Sequence, residues 1–218
     1  MAELLERVRP VAPAAQRALP VVPPLAGLLP GGLPRGSTVG VGGDIYLLLA
    51  LVAGASAAGS WCALVGLPRL GVEAAAALGV EPERLVLVPH PGERWPTVVS
   101  TLLDGIDVVV VGLSRHLRPR AGDARRLSAR ARQRGATLVV VGGAGGAWPE
   151  TPDLSLAVGV GMWEGLGRAH GHLLRRRVDV ELTGRRVGRP RRTSLWLPSD
   201  SGQVEPADAP ALCQLVPA

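Results

Sequence analysis

The sequence contains no lysine, because all 24 basic residues are arginines. This excludes every site chemistry that needs a lysine of this chain: a phosphate-loop lysine, a Schiff base and a lysine general base. Phenylalanine is also absent, and aromatic residues make up only 3% of the chain. We therefore expect a core of leucine, valine and alanine. The few aromatic residues argue against recognition of single-stranded nucleic acid by stacking of bases on aromatic side chains.

Cysteine is scarce too, with Cys62 and Cys213 as the only two. Two distant cysteines do not indicate a disulfide framework, so a reducing cytoplasm is the expected compartment. The longest apolar helical segment, residues 45–58, is shorter than the roughly 20 residues that span a bilayer. We predict no membrane segment and no metal site, since His170 and His172 lack a third ligand at a recognisable spacing.

The arginines are distributed unevenly. Residues 115–192 carry seventeen of them against six acidic residues, whereas residues 1–114 carry seven against nine. A basic block of this kind favours a nucleic acid or an acidic protein as the partner. A solvated, arginine-rich surface explains the first half of the block equally well, so both interpretations stay open.

From residue 37 the pattern alternates between short apolar runs and helical segments. The predicted strands are 38–41, 61–66, 85–88, 107–111 and 137–141, and the predicted helices between them are 45–58, 71–78, 96–103 and 123–134. Residues 108–111 and 138–141 are continuously apolar, which is typical of parallel strands buried on both faces. The sequence therefore predicts an α/β fold around a mostly parallel sheet.

The pattern changes after Gly142. Three short strand-like runs follow at 154–159, 178–182 and 193–197, and we expect them to extend the sheet as antiparallel strands. The predicted organisation is a Pro-rich N-terminal arm (1–35), one α/β domain (36–198, with its strand-rich segment at 154–198) and a flexible tail (199–218).

The junction between the first strand and the first helix is the natural candidate for a phosphate site. In phosphate-binding proteins such a junction carries a lysine for the phosphates and a hydroxyl residue for magnesium. Here Gly42 and Gly43 run directly into Asp44. Aspartate repels phosphate but can cap a helix, so the glycines are better explained by a tight turn.

Several segments resemble the RecA recombinases. The segment at 28–43, LLPGGLPRGSTVGVGG, is similar to the approach to their phosphate loop, and 105–114, GIDVVVVGLS, resembles their magnesium-site strand. Residues 165–198, GLGRAHGHLLRRRVDVELTGRRVGRPRRTSLWLP, more specifically resemble the ImuA-type accessory proteins of the actinobacterial mutasome. The resemblance implies a RecA-like fold.

The chain departs from the RecA pattern at three places. The phosphate-loop lysine is missing, the magnesium-coordinating aspartate expected after Val111 is Gly112, and the catalytic glutamate falls near Leu67 and Pro68. Because three separate parts of the ATPase site are absent, we expect neither ATP hydrolysis nor a bound cofactor.

The resemblance also implies function and partners. It suggests a non-catalytic role in error-prone translesion synthesis and induced mutagenesis, in the cytoplasm and at the nucleoid when recruited to damage. The expected partners are a Y-family-like polymerase adaptor and, through it, an error-prone C-family polymerase and the sliding clamp. Candidate adaptor contacts are Arg175, Arg176, Arg177 and Trp196. Candidate DNA-phosphate contacts are Arg115, Arg118 and Arg120.

Two alternatives remain open at this point. Division inhibitors of the SulA type share a degenerate RecA-related fold, so a cell-division inhibitor is one. The other is a RecA-like ATPase with an atypical phosphate loop, because a bare helix N-terminus can bind an anion.

Overall fold

The computed structural model describes residues 18–114, 117–142, 148–166 and 171–207. Its strands are β1 Ala18–Leu19, β2 Leu33–Pro34, β3 Thr38–Val41, β4 Cys62–Val65, β5 Leu85–Val88, β6 Val108–Gly112, β7 Thr137–Val141, β8 Leu154–Val158, β9 Met162–Leu166, β10 Gly171–Thr183, β11 Arg191–Trp196 and β12 Glu205–Pro206. Its α-helices are α1 Ile45–Ala57, α2 Val72–Ala77, α3 Trp95–Leu102 and α4 Ala121–Arg134. Two single turns of 3₁₀-helix lie at Pro23–Leu25 and Pro82–Arg84.

One ten-stranded sheet organises the domain, in the order β12-β11-β10-β8-β3-β7-β6-β4-β5, with β9 pairing to β10. Across the sheet, the neighbouring strands β8, β3, β7, β6, β4 and β5 pair parallel to one another. The pairings β8–β10, β9–β10, β10–β11 and β11–β12 are antiparallel. The predicted α/β architecture with antiparallel C-terminal strands is thus confirmed. One strand was assigned wrongly: β8 pairs parallel to β3, and its antiparallel partner is β10.

The central strands are apolar throughout because helices cover both faces of the parallel sheet. On one face, strand residues such as Val39 and Val110 pack with helix α1 in one buried cluster. On the other face, Val109 and Val140 pack against α3 and α4. Because these strands are parallel, the carboxyl ends of β3, β6 and β4 lie at one edge of the sheet. This edge is where α/β proteins bind ligands.

The N-terminal arm explains why α1 has no polar face. Leu19, Leu25 and Leu33 of the arm are buried in the same cluster as the helix. The arm crosses α1 at Gly54, where a Cβ atom would stand 2.5 Å from the carbonyl carbon of Val21. Since α1 is covered by the sheet on one side and the arm on the other, an apolar sequence all round is required.

The C-terminal strands leave the layered core. The thirteen residues of β10 pair with β8 and β11 in their second half and with β9 in their first half. We call the pair of β9 and residues 171–177 of β10 the ribbon. Residues 199–207, expected to belong to a flexible tail, contain β12 and the largely buried Val204 and Ala207. Across the described ranges, no helix is both long and apolar enough to cross a membrane.

Candidate functional site

The junction between β3 and α1 is a tight turn closed by an aspartate. Gly43 has a φ of 80°, a conformation that strongly favours glycine. Asp44 follows as the residue that caps α1, and its Oδ1 accepts a hydrogen bond from the backbone N–H of Leu47 at 2.9 Å. The carboxylate thus satisfies one of the free N–H groups of the helix and stabilises its positive end. The turn predicted from the glycines is what the structure contains.

The second oxygen of the Asp44 carboxylate is bound as well. Arg176, in β10, donates from Nη2 to Oδ2 at 2.5 Å, and only 12% of the Asp44 side chain and 16% of the Arg176 side chain are exposed. Arg176 Nε donates to the carbonyl of Leu197 at 2.9 Å. Its guanidinium also lies 5.6 Å from the ring centre of Tyr46 and 5.7 Å from that of Trp163. The anion position at the start of α1 is therefore occupied by a carboxylate of the chain itself.

The position expected for a magnesium ligand has no room for a side chain. Gly112 ends β6, and a Cβ atom there would lie 2.4 Å from Leu67 Cδ2 and 2.9 Å from the carbonyl oxygen of Gly66. Leu67 itself packs against the apolar cluster around α1. The two departures from the RecA pattern, Gly112 and Leu67, are thus in contact and form a single apolar packing arrangement.

Two other kinds of site, a metal centre and an activated thiol, were considered for the described part of the chain. The described residues include no group of three or more His, Cys, Asp or Glu side chains placed to hold a metal ion. Burial, with a smaller effect of the Asp107 charge, raises the pKa of Cys62 to about 12. A thiol with that pKa stays protonated at neutral pH, so Cys62 is not an activated nucleophile.

Residues 27–150, more than half of the 218 residues, match the family described as MT3502 N-terminal domain. The chain belongs to the MT3502 N-terminal domain family. It is 43% identical over 119 residues to an uncharacterized protein of Mycobacterium tuberculosis, Rv3395c. That alignment covers 53% of this chain and 58% of the relative, so the chain spans less than two thirds of the relative's length. These comparisons give the family and assign no activity.

In this MT3502 N-terminal domain protein the matched segment ends at residue 150, before β8 begins. It includes β3, α1 and Gly112, and therefore the whole junction with Asp44. Arg176 and the ribbon lie outside it. The ion pair between Asp44 and Arg176 thus joins the part that the family match covers to the part that it does not.

The first arginine cluster is partly described. Arg115 lies outside the described residues, and Arg118 and Arg120 are exposed just before α4. Leu117, which precedes Arg118, lines a surface cavity of about 510 Å³ together with Arg69 and His90, among others. The two arginines therefore stand at the carboxyl edge of the sheet, and the expected contact with DNA phosphates stays a prediction.

The C-terminal candidates do not share one surface. Because side chains alternate along a strand, Arg176 faces α1 whereas Arg175 and Arg177 face away from it. Arg175 lies 4.0 Å from the ring centre of Trp196, pairs with Glu164 at 2.7 Å and approaches Asp200 at 3.4 Å. Sequence reasoning grouped the three arginines as one contact surface. The structure separates Arg176 from the others and gives it a packing role.

Sequence reasoning missed β9, which carries the most exposed apolar side chains near these arginines. Met162 is 71% exposed and Trp163 is 39% exposed. The segment has glycine at Gly159, Gly161 and Gly165, and this composition hid its strand character. The signal that could have revealed it is the pair of Met162 and Trp163, two large apolar residues inside a glycine-rich hairpin.

Proposed function

We propose that this protein is a non-catalytic, RecA-like accessory protein of error-prone translesion DNA synthesis. It acts through protein contacts in damage tolerance and induced mutagenesis. Its direct partner is a Y-family-like polymerase adaptor, which links it to an error-prone C-family polymerase and the sliding clamp. It works in the cytoplasm and joins the nucleoid when it is recruited to damage. The resemblance of residues 165–198 to ImuA-type proteins is the origin of this proposal.

The observation that carries the non-catalytic part is the occupied start of α1. In a phosphate site the free N–H groups of the helix and a lysine hold the ligand. Here Asp44 binds the helix N–H of Leu47 and Arg176 together. A phosphate would have to displace a carboxylate that is itself neutralised by an arginine. The absence of any lysine supports the same conclusion.

The packing at Gly112 supports it independently. A magnesium-binding aspartate at this position would collide with Leu67 and with the Gly66 carbonyl. An aspartate at this position, as in the RecA pattern, would therefore require a rearrangement of the turn after β4. Glycine in place of the aspartate and the packing of Leu67 into the space of its side chain therefore belong together.

For the adaptor contact we propose the face of the ribbon and β11 that points away from α1. Arg177 lies between Met162 and Trp196 across three strands, and Arg175 lies in the neighbouring row beside Glu164. This face combines two arginines, a tryptophan and an exposed methionine, which are residue types favoured at the centres of interfaces. We do not include Arg176, because its guanidinium is used inside the molecule.

The direct test is the affinity of the purified protein for the purified adaptor, measured by calorimetry. Changing Arg175 and Trp196 together to alanine should weaken binding at least about tenfold, since truncated central residues commonly cost more than about 1.4 kcal/mol. Arg192→Ala is the matched control, because its side chain is 76% exposed and pairs with Glu181 near the other end of β11 from Trp196. Absence of adaptor binding by the unaltered protein contradicts the proposal. Co-purification with a tubulin-like division protein and no polymerase would support the division-inhibitor alternative instead.

The enzymatic alternative has its own test. Phosphate release from ATP should stay at the background rate, with and without single-stranded DNA. A turnover that disappears in Gly43→Ala or Asp44→Ala would show an atypical but working phosphate loop. A turnover that neither substitution changes would come from a contaminating ATPase.

A further inference from the structure

Exposed apolar side chains are concentrated in the ribbon and the turn before it. Among the described residues, five of the eight large exposed hydrophobics lie between residues 160 and 174: Val160, Met162, Trp163, Leu173 and Leu174. Val160 is 96% exposed, and the two leucines are each 48% exposed. Single exposed apolar residues are ordinary, but a contiguous group of them indicates an interaction surface.

The backbone of β9 leaves one edge open. Arg176 uses its N–H and C=O on the β11 side, with Pro198 and Leu197. By strand alternation, Arg175 and Arg177 then direct theirs toward β9, where they stand opposite Glu164 and Met162. The N–H and C=O of Trp163 consequently point to the other side of β9. No residue in the described ranges pairs with that side of Trp163.

The open edge has little of the protection that natural edge strands usually carry, apart from a register shift in the pairing of β9 with β10 between Gly171 and Arg175. Charged side chains, prolines and bulges normally prevent edge strands from pairing with another chain. In β9 the one charged residue is Glu164, and Arg175 pairs with its Oε2 on the β10 side. Its Oε1 has no hydrogen-bond partner among the described residues. The edge therefore offers apolar flanks and one carboxylate oxygen that can still accept a hydrogen bond.

A second copy of this chain fits the edge poorly. If two β9 strands paired antiparallel about Trp163, each Glu164 would face the Met162 of the other copy. If they paired about Glu164, two carboxylates would face each other, which is destabilising. In neither register does the second copy place a basic residue opposite Glu164. The charge pattern favours an extended segment of another protein that has a basic residue between apolar ones.

We propose that the outer edge of β9 binds such a segment by strand addition. The added strand pairs with the N–H and C=O of Trp163, which gives most of the affinity, and places an arginine or lysine opposite Glu164. The neighbouring residue of the added strand lies opposite Trp163, where an apolar side chain covers the indole, and the residue after it lies opposite Met162. That the segment belongs to the polymerase adaptor rests on the proposed function. The open edge and its preference for a basic residue do not depend on the proposed function.

The probe is a short synthetic peptide, Thr-Val-Arg-Val-Thr, with Thr-Val-Glu-Val-Thr as its charge-reversed counterpart. Binding to the full chain is followed by NMR, through the backbone amide signal of Trp163. We expect the arginine peptide to shift this signal and slow its hydrogen exchange, and to bind at least about tenfold more tightly than the glutamate peptide. Equal binding of the two peptides, or no binding of either, overturns the proposal.

Two variants isolate the backbone contribution. Trp163→Pro removes the outward N–H without removing a bond to β10, because proline is tolerated where the N–H of an edge strand faces outward. Trp163→Val keeps the N–H and loses the same indole contact with Arg176. The proline variant should lose peptide binding at least about tenfold relative to the valine variant, and equal affinities of the two overturn the proposal.

A third variant keeps the test decisive if Trp163→Pro fails to fold. In Glu164→Gln the preference for the arginine peptide should fall to nearly equal affinities, whereas an unchanged preference overturns the proposal. None of these measurements uses the adaptor. Failure of peptide binding therefore refutes the edge site alone, and failure of the unaltered protein to bind the adaptor refutes the proposed function alone.

Discussion

Asp44 and Arg176 lie 132 positions apart in the sequence and form an ion pair of 2.5 Å. The pair joins the first helix of the domain to the ribbon and fills the position at the start of α1 where phosphate-binding proteins hold a phosphate. Because both side chains are mostly buried, removing one partner leaves the other charge without compensation.

The first prediction concerns this pair. Asp44→Asn keeps a side chain that can cap the helix but removes the charge, and should lower the free energy of unfolding by about 2 kcal/mol. Arg176→Gln should have a similar effect, and the double variant should lose less than the sum of the two. Arg192→Gln, at an exposed ion pair, should stay within about 0.5 kcal/mol. Additive losses in urea unfolding would show that the two residues do not interact.

A second prediction concerns the anion position itself. Asp44→Gly removes the internal carboxylate and leaves the start of α1 next to Arg176. Inorganic phosphate should then raise the melting temperature of this variant more than that of the unaltered protein, because a ligand that binds only the folded state stabilises it. Chloride at equal ionic strength is the control. An equal rise in both proteins would reflect general salt stabilisation and would contradict an anion position at this turn.

A third prediction tests the packing around Gly112. Gly112→Ala should destabilise the protein by about 1–3 kcal/mol, because the new methyl group meets Leu67 and a backbone oxygen. Gly105→Ala is the matched control, since a Cβ atom there meets nothing within 4 Å. If both variants unfold at the same urea concentration, Leu67 moves freely and the space is not filled as described.

The two predictions on Asp44 depend on a contact that no local pattern could have indicated. The strands Val108–Gly112 and Thr137–Val141 were predictable, because continuous apolar runs mark strands buried on both faces. The direction of β8 was not, because a sequence does not say which neighbour a strand will pair with. Likewise, Asp44 was recognised as a helix cap, but Arg176, which pairs with it, lies 132 positions later in the sequence.

The separation of Arg176 from its neighbours was within reach of sequence reasoning. Residues 178–182 were predicted to be a strand, and extending that strand by two residues places successive arginines on opposite faces. The packing of residues 18–35 was harder to foresee, because it depends on the close approach of Val21 to Gly54. Prolines indicated an arm but not the surface against which it packs.

A fourth prediction concerns DNA. If Arg118 and Arg120 contact phosphates, changing both to alanine should reduce the slope of log affinity against log salt for single strands by about 1.4, at about 0.7 per phosphate. Arg134→Ala is the control, because Arg134 pairs with Asp104 at the opposite end of α4. The slope is measured by fluorescence anisotropy. An unchanged slope would show that the two arginines do not contact DNA phosphates and belong to a solvated surface.

The central claim is the role in induced mutagenesis, and the most direct measurement is the mutation frequency after ultraviolet damage in cells that lack this protein. The account predicts that the frequency falls to the level of undamaged cells. It should return with the unaltered protein and stay low with the variant that has alanine at Arg175 and Trp196. A normal induced mutation frequency in the deleted strain would contradict the account.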